Sequence, residues 1–231
     1  MRNFRHIDTW VFDLDNTLYD AETGIMTRVG ERMTGFVVDL LQISPEEANT
    51  LRKEYWEKYG TTMRGLMLEH KVDPYHFLDY AHDFDISDVP QCVITQEYLE
   101  RLRGKKIIFT NASRRFAQRV TKHLGIDHHF EHIFAIEDAG FIPKPDPEPY
   151  HAVIKNFQFD PRRACMFEDM EVNLKTAADL GMTTVWLHGQ DHDLDRHQPP
   201  HVHHQSKKLA DWLLATAKHF AKPGRHTIRK K

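Results

Sequence analysis

The sequence predicts an α/β protein: a parallel sheet with helices on both faces and a helical segment inserted after the first strand. Three observations lead there. Several apolar, β-favouring runs end in polar or acidic residues, as buried parallel strands do where they leave the core. Helical patterns lie between those runs, the alternation of a parallel α/β sheet. One interval, residues 17–105, breaks that rhythm and holds helical patterns only.

The first strand signal is Thr9-Trp10-Val11-Phe12, running on into Asp13-Leu14-Asp15. Residues 106–110, 133–136, 164–169 and 183–187 have the same character. Between them, 113–124 places Phe116, Val120 and Leu124 at helical spacing, with Gly125 as a stop. Asp146-Pro147 opens a helix with a cap residue and a proline at its first position. Its apolar stripe is Tyr150, Val153, Ile154 and Phe157. Residues 173–180 read as a helix stopped by Gly181. The stretch 188–204 is polar, His-rich and contains Pro199-Pro200, so it reads as a loop. A last helix covers 206–220, with Leu209, Trp212, Leu213 and Phe220 on one side, and the basic tail 222–231 reads as a mobile end.

Within the long interval, Met26, Val29, Met33, Phe36, Val37 and Leu40 form one stripe. Ser44-Pro45-Glu46-Glu47 is a capping box opening a second helix, with Leu51 and Tyr55 inward. Asp73-Pro74 opens another, carrying Phe77 and Leu78. A crossover between parallel strands needs little more than one helix. Residues 20–97 therefore read as an inserted helical cap, and 1–19 with 98–231 as the α/β core; 95–102 is expected to return the chain to the sheet.

Composition narrows the class. Lys and Arg number 31 against 34 Asp and Glu, so charge gives no reason to expect a nucleic acid polymer as partner. Two cysteines, Cys92 and Cys165, make no disulfide framework and fit a reducing compartment. The N-terminus has no apolar h-region and no run is long enough to span a bilayer, so a cytoplasmic protein without membrane partner is expected.

Four motifs fall at predicted strand ends, where ligands bind in open α/β sheets. In Asp13-Leu14-Asp15-Asn16-Thr17, two carboxylates one residue apart can face one side and then need a cation or a shared proton. Thr110-Asn111-Ala112-Ser113 sets hydroxyl and amide groups before a helix N-terminus, which suits a phosphate. Pro143-Lys144-Pro145 fixes a lysine that can hold an ammonium against developing negative charge. Glu168-Asp169, followed by Asn173, offers hard oxygen ligands of the kind Mg²⁺ takes. Taken singly, each also reads as a helix cap or a solvated turn.

Together and in this order, the four motifs resemble the haloacid dehalogenase (HAD) superfamily of phosphohydrolases, over residues 8–19 and 105–187. The resemblance narrows to the pyrimidine 5′-nucleotidase-like members through 12–19, 59–66 and 109–112. It implies a HAD-like Rossmannoid core with a helical cap, and a Mg²⁺ cofactor. It also implies a role for each motif residue. Asp13 looks like the nucleophile that takes the phosphoryl group, and Asp15 like the general acid and base. Thr110 and Asn111 would bind phosphate, and Lys144 would steady the nucleophile and the group in transfer. Asp13, the Asp15 carbonyl and Asp169 would hold Mg²⁺, with Glu168 acting through a water.

A cap over the strand ends would exclude water and contact the leaving group. Candidates there are Tyr59, Thr61, Thr62, Arg64, His82 and Phe84, which mix aromatic and hydrogen-bonding character; Tyr59 and Phe84 serve equally as cap core. The expected partner is a small phosphorylated metabolite, a nucleoside monophosphate such as UMP or CMP. Alternatives are a sugar phosphate, phosphoglycolate or broad-range phosphatase, a phosphomutase, and a catalytically silent binding module. The histidines at 188, 192, 197, 201, 203 and 204 fit no structural zinc spacing.

Overall fold

Strand β1 (Thr9–Phe12) is buried along its whole length, as its unbroken apolar run requires. The computed structural model describes residues 4–189 and 198–220. In chain order, β1 is followed by α1 (Ile25–Leu41), α2 (Pro45–Tyr59), α3 (Thr62–His70), α4 (Pro74–His82) and α5 (Val93–Leu99). Then come β2 (Lys105–Phe109), α6 (Arg114–His123), β3 (His132–Phe134), α7 (Pro147–Phe157) and β4 (Ala164–Glu168). The described chain closes with α8 (Glu171–Asp179), β5 (Thr183–Leu187), β6 (His204–Ser206) and α9 (Leu209–Phe220).

The strands form one parallel sheet in the order β3-β2-β1-β4-β5-β6. The chain passes from β1 to β2 on one side and later to β4 on the other, so β1 sits at the point where the strand order reverses. Phe12 is level with Ile108 of β2 and Phe167 of β4, which brings the ends of all three strands together.

Side chains alternate across the sheet with period two. Trp10, Phe12, Ile108, Cys165 and Phe167 join one apolar cluster with Leu99, Phe116, Val120, Leu209, Trp212 and Leu213. Val11, Ile107, Phe109 and Met166 join the other, with Tyr150, Val153, Leu174 and Ala177. Phe12 and Phe167 stack at 4.7 Å between ring centroids.

Helices α1–α4 make a third cluster, built on Phe36, Val37, Ala48, Met63, Leu66, Phe77 and Leu78. The capping box at Ser44 is formed, with Glu47 and Ser44 exchanging side-chain and backbone bonds. Gly65 lets α2 and α3 close up, since a Cβ there would lie 2.3 Å from Tyr55 Cγ. Ile25 and Val29 of α1 belong to the core cluster, and Ile136 of the core belongs to the helical one, so the two parts are stitched together.

One reading is completed and one changes. Residues 93–99 are helix, and they return the chain to the sheet as expected: Leu99 and Leu102 pack with the α9 side chains on the sheet face rather than with α1–α4. The stretch 188–204 is not all loop, because His204 opens β6 at the sheet edge. Its anchor is Thr184, whose N–H donates to His203 Nδ1 at 3.0 Å and whose hydroxyl donates to the His201 carbonyl at 2.5 Å. The expectations for His192, His197, the Phe220 side chain and the tail 222–231 lie outside the described residues. Among the described residues no helix is long and apolar enough to cross a membrane.

Candidate active site

Where β1, β2 and β4 end, the chain sets a buried lysine against two carboxylates. Lys144 Nζ donates to Asp13 Oδ1 at 2.7 Å, to Glu168 Oε2 at 2.8 Å and to the Phe109 carbonyl at 3.0 Å. Asp13 leaves β1 with its N–H donating to the Phe167 carbonyl at 3.0 Å, so the neighbouring strand fixes its place. The backbone of Lys144 is clamped by Asn111, which accepts from the Lys144 N–H at 2.9 Å and donates to its carbonyl at 3.3 Å. Asn173 donates to the other oxygen of Glu168 at 2.5 Å, which leaves that carboxylate held on both sides.

Asp169 follows β4 and accepts from Asn16 Nδ2 at 3.1 Å. Asn16 sits at φ 55°, a left-handed conformation that asparagine tolerates better than most residues and that turns the chain sharply after Asp15. Asp13, Glu168 and Asp169 each place an oxygen within 4.8 Å of the others. Among the described residues no other group of three or more acidic, histidine or cysteine side chains gathers this way. The Asp15 side chain lies outside that cluster and accepts a short hydrogen bond from Tyr19.

Burial sets the electrostatics. It pushes Asp15 up to about 7, helped by the charge of Asp13 and opposed by the Tyr19 hydrogen bond. It pushes Asp169 up to about 6, again with Asp13 adding and the Asn16 bond opposing. Glu168 is driven well above the usual carboxylate range by burial and by Asp13, against the pull of Lys144. Burial disfavours the Lys144 ammonium, but Asp13 and Glu168 outweigh it and keep the group charged. One ammonium among four crowded carboxylates leaves an excess of negative charge. That excess, on hard oxygen donors, fits a divalent cation such as Mg²⁺.

The site opens into a cavity of about 1160 Å³ between the strand ends and the cap helices. Of the expected cap residues, Tyr59, Thr61, Thr62, Arg64 and His82 line it, and Phe84 does not. Phe84 packs against Phe116 at 5.9 Å between centroids, so it is core rather than binding surface. Several lining groups have local duties. Thr61 caps α3 by accepting from Arg64 N–H, Thr62 donates to the Arg52 carbonyl at 3.3 Å, and Tyr59 donates to Glu69. Arg64 reaches the Phe141 carbonyl at 3.3 Å. Asn111 lines the cavity as well, whereas the Thr110 hydroxyl is buried and accepts from Ala112 N–H at 2.9 Å.

His82 ties cap to core. Its Nδ1 lies 3.0 Å from Ser113 Oγ, and its ring stacks on Phe116 at 4.1 Å. Burial, with nearby Arg119, lowers its pKa from 6.5 to about 3. The folded protein therefore refuses a proton that the unfolded chain accepts below pH 6.5. Stability contributed by the neutral ring is complete above that value and is lost as pH falls toward 3. Between pH 6.5 and 5 the wild type is expected to lose about 2 kcal/mol more than His82→Gln. Urea midpoints measured at both pH values check this; parallel losses would contradict it.

Asn16, Tyr19 and Arg52 are site residues that sequence reading passed over. Asn16 and Tyr19 had a signal, lying directly beside Asp15 and one helical turn beyond it. Two of the histidines near the C-terminus serve structure: His201 pairs with Glu171, and His203 anchors the sheet edge.

The comparisons agree with the geometry. A solved dehalogenase superposes with a TM-score of 0.62 at 20% identity, covering 90% of this chain and 96% of that one. A HAD phosphatase from Thermococcus onnurineus gives 0.60 at 19% identity, covering 92% and 97%. Both are similar in fold. Phosphate metabolism protein 8 of Saccharomyces cerevisiae is 30% identical over 193 residues, covering 75% of this chain; the chain spans only 59% of that relative's length. A family model for haloacid dehalogenase-like hydrolases matches residues 7–181, which include the ends of β1, β2 and β4. With its parallel sheet, its helical insertion and an aspartate–lysine–acid centre at the strand ends, the chain belongs to the haloacid dehalogenase-like hydrolase family.

Proposed function

We propose that the protein hydrolyses phosphomonoesters through an aspartyl-phosphate on Asp13, with pyrimidine nucleoside 5′-monophosphates as preferred substrates. The observation that carries this reading is the division of labour between two aspartates one residue apart. Asp13 is bound by Lys144 within the acidic cluster, and Asp15 stands outside it with a raised affinity for a proton. An acid that holds its proton, one residue from a carboxylate bound by an ammonium, suits the acid and nucleophile roles.

In the first step an oxygen of Asp13 attacks phosphorus and the ester oxygen leaves with the proton held by Asp15. In the second, Asp15 takes a proton from water as that water attacks phosphorus, and Asp13 is released. Lys144 steadies the charge on Asp13 and on the group in transfer. Asp13, Asp169 and the Asp15 carbonyl would hold Mg²⁺, with Glu168 behind them. When bound, the ion supplies the positive charge that lets a phosphate dianion approach so many carboxylates.

Dehalogenases share the fold, but a halide departs without a proton, so a proton-holding Asp15 favours an oxygen leaving group. The name of the yeast relative, a phosphate metabolism protein, points the same way. A substrate panel with phosphate release, run with Mg²⁺ and with EDTA, tests the proposal. UMP and CMP are expected to exceed ribose 5-phosphate and phosphoglycolate in kcat/KM, and EDTA to abolish turnover. Equal rates on all esters would remove the nucleotide preference; no Mg²⁺-dependent phosphate release would remove the phosphatase reading.

A further inference from the structure

The cap wall of the cavity carries a charge that no acidic group among the described residues pairs with. Asn49, Arg52 and Trp56 of α2 lie three and four residues apart and line the cavity together, facing Met26, Val29 and Met33 of α1. Arg52 is held by neutral groups. Its Nη1 donates to Thr34 Oγ1 at 2.6 Å and Asn49 Oδ1 at 3.1 Å, and Nη2 lies 3.8 Å from Met33 Sδ. Among the described residues it makes no ion pair, unlike the neighbouring Lys58 with Glu69 and Lys53 with Glu57. The guanidinium packs beside Gly30 of α1, where a Cβ would lie in ordinary contact 3.5 Å from Nη2.

A guanidinium that stands partly desolvated without a counter-charge is an unfilled demand for an acceptor oxygen. Beside it Met26, Val29, Met33 and Trp56 make an apolar stretch of wall, and Lys53 and Glu57 of α2 also border the cavity. Trp56 is 49% exposed and Met26 37% exposed, although both border the cavity. Flat aromatic surface beside a lone planar donor complements a planar ring that carries a carbonyl oxygen. A small aliphatic leaving group would leave both unsatisfied.

We infer that Arg52 and Trp56 form the leaving-group subsite: Arg52 donates to a carbonyl oxygen of a planar heterocycle, and Trp56 covers the ring's face. This rests on the phosphomonoesterase reading and places its specificity on α2, beyond the cap residues expected from sequence. Arg52 acts in binding and leaves the transferring phosphoryl group to the core.

The test compares UMP with ribose 5-phosphate, the same ester without the ring, in the wild type, Arg52→Gln and Trp56→Ala. The ratio of their kcat/KM values is expected to fall at least about tenfold in Arg52→Gln, the scale of one hydrogen bond to a charged donor. Trp56→Ala is expected to lower the same ratio at least about threefold, and its exposed position keeps folding intact if Arg52→Gln loosens the α1–α2 link. Equal losses on both esters would make Arg52 a brace between helices and overturn the inference. Ratios unchanged in both variants would overturn it too. A wild type that hydrolyses neither ester would instead overturn the underlying phosphatase reading.

Discussion

Asp13→Asn is expected to lower phosphate release by at least about 10⁴-fold, the scale seen when a nucleophile is removed. The amide keeps the shape of the carboxylate but cannot take the phosphoryl group. The same variant is expected to be no less stable than the wild type when metal-free at pH 7.5. Asp13 is a source of repulsion for Asp15, Glu168 and Asp169, and its charge raises the proton affinity of all three. Removing it relieves that crowding, while Lys144 keeps Glu168 at 2.8 Å. Thermal unfolding beside a turnover assay checks both halves. Residual activity near wild type, or a large fall in Tm, would contradict the account.

Lys144→Met has the opposite signature. It removes the one ammonium that binds Asp13 and Glu168, and leaves two buried carboxylates facing each other. Breaking a buried pair this way costs about 3–5 kcal/mol, and activity is expected to vanish with it. The loss should depend on pH in a defined direction. Lys144 holds down the proton affinities of Asp15, Glu168 and Asp169, so its loss raises them further and adds a penalty to the folded state while they stay ionised. The penalty fades as pH falls toward the ordinary carboxylate range near 4. Chemical denaturation should therefore show Lys144→Met recovering stability relative to wild type between pH 7.5 and 5. A deficit that stays constant or grows over that interval would count against the charge argument.

The sheet and the gathering of acids at its strand ends were legible because buried strands announce themselves and their ends carry unusual residues. Thr9–Phe12 and Ala164–Glu168 are apolar runs that stop at acids, and parallel pairing brings those stops together. Asp146-Pro147 and Ser44-Pro45 are cap signals that the structure forms as written. What escaped has local physical reasons. β6 is three polar residues at an edge, with too little burial to show in periodicity. The helix at 93–99 lacks a side-chain cap, so its start left no mark. Phe84 and Arg52 differ in a way sequence does not express: an aromatic turned inward to Phe116, and a cation turned toward the cavity. Such choices are made by tertiary packing, not by spacing along a helix.

The covalent intermediate tests the central claim most directly. Enzyme mixed with UMP and Mg²⁺ is quenched in acid during turnover, reduced with borohydride and mapped by peptide mass spectrometry. An acyl phosphate on Asp13 is reduced to homoserine, so homoserine at position 13 is the result expected. Released phosphate with an unmodified Asp13, or homoserine at Asp15 instead, would contradict the mechanism.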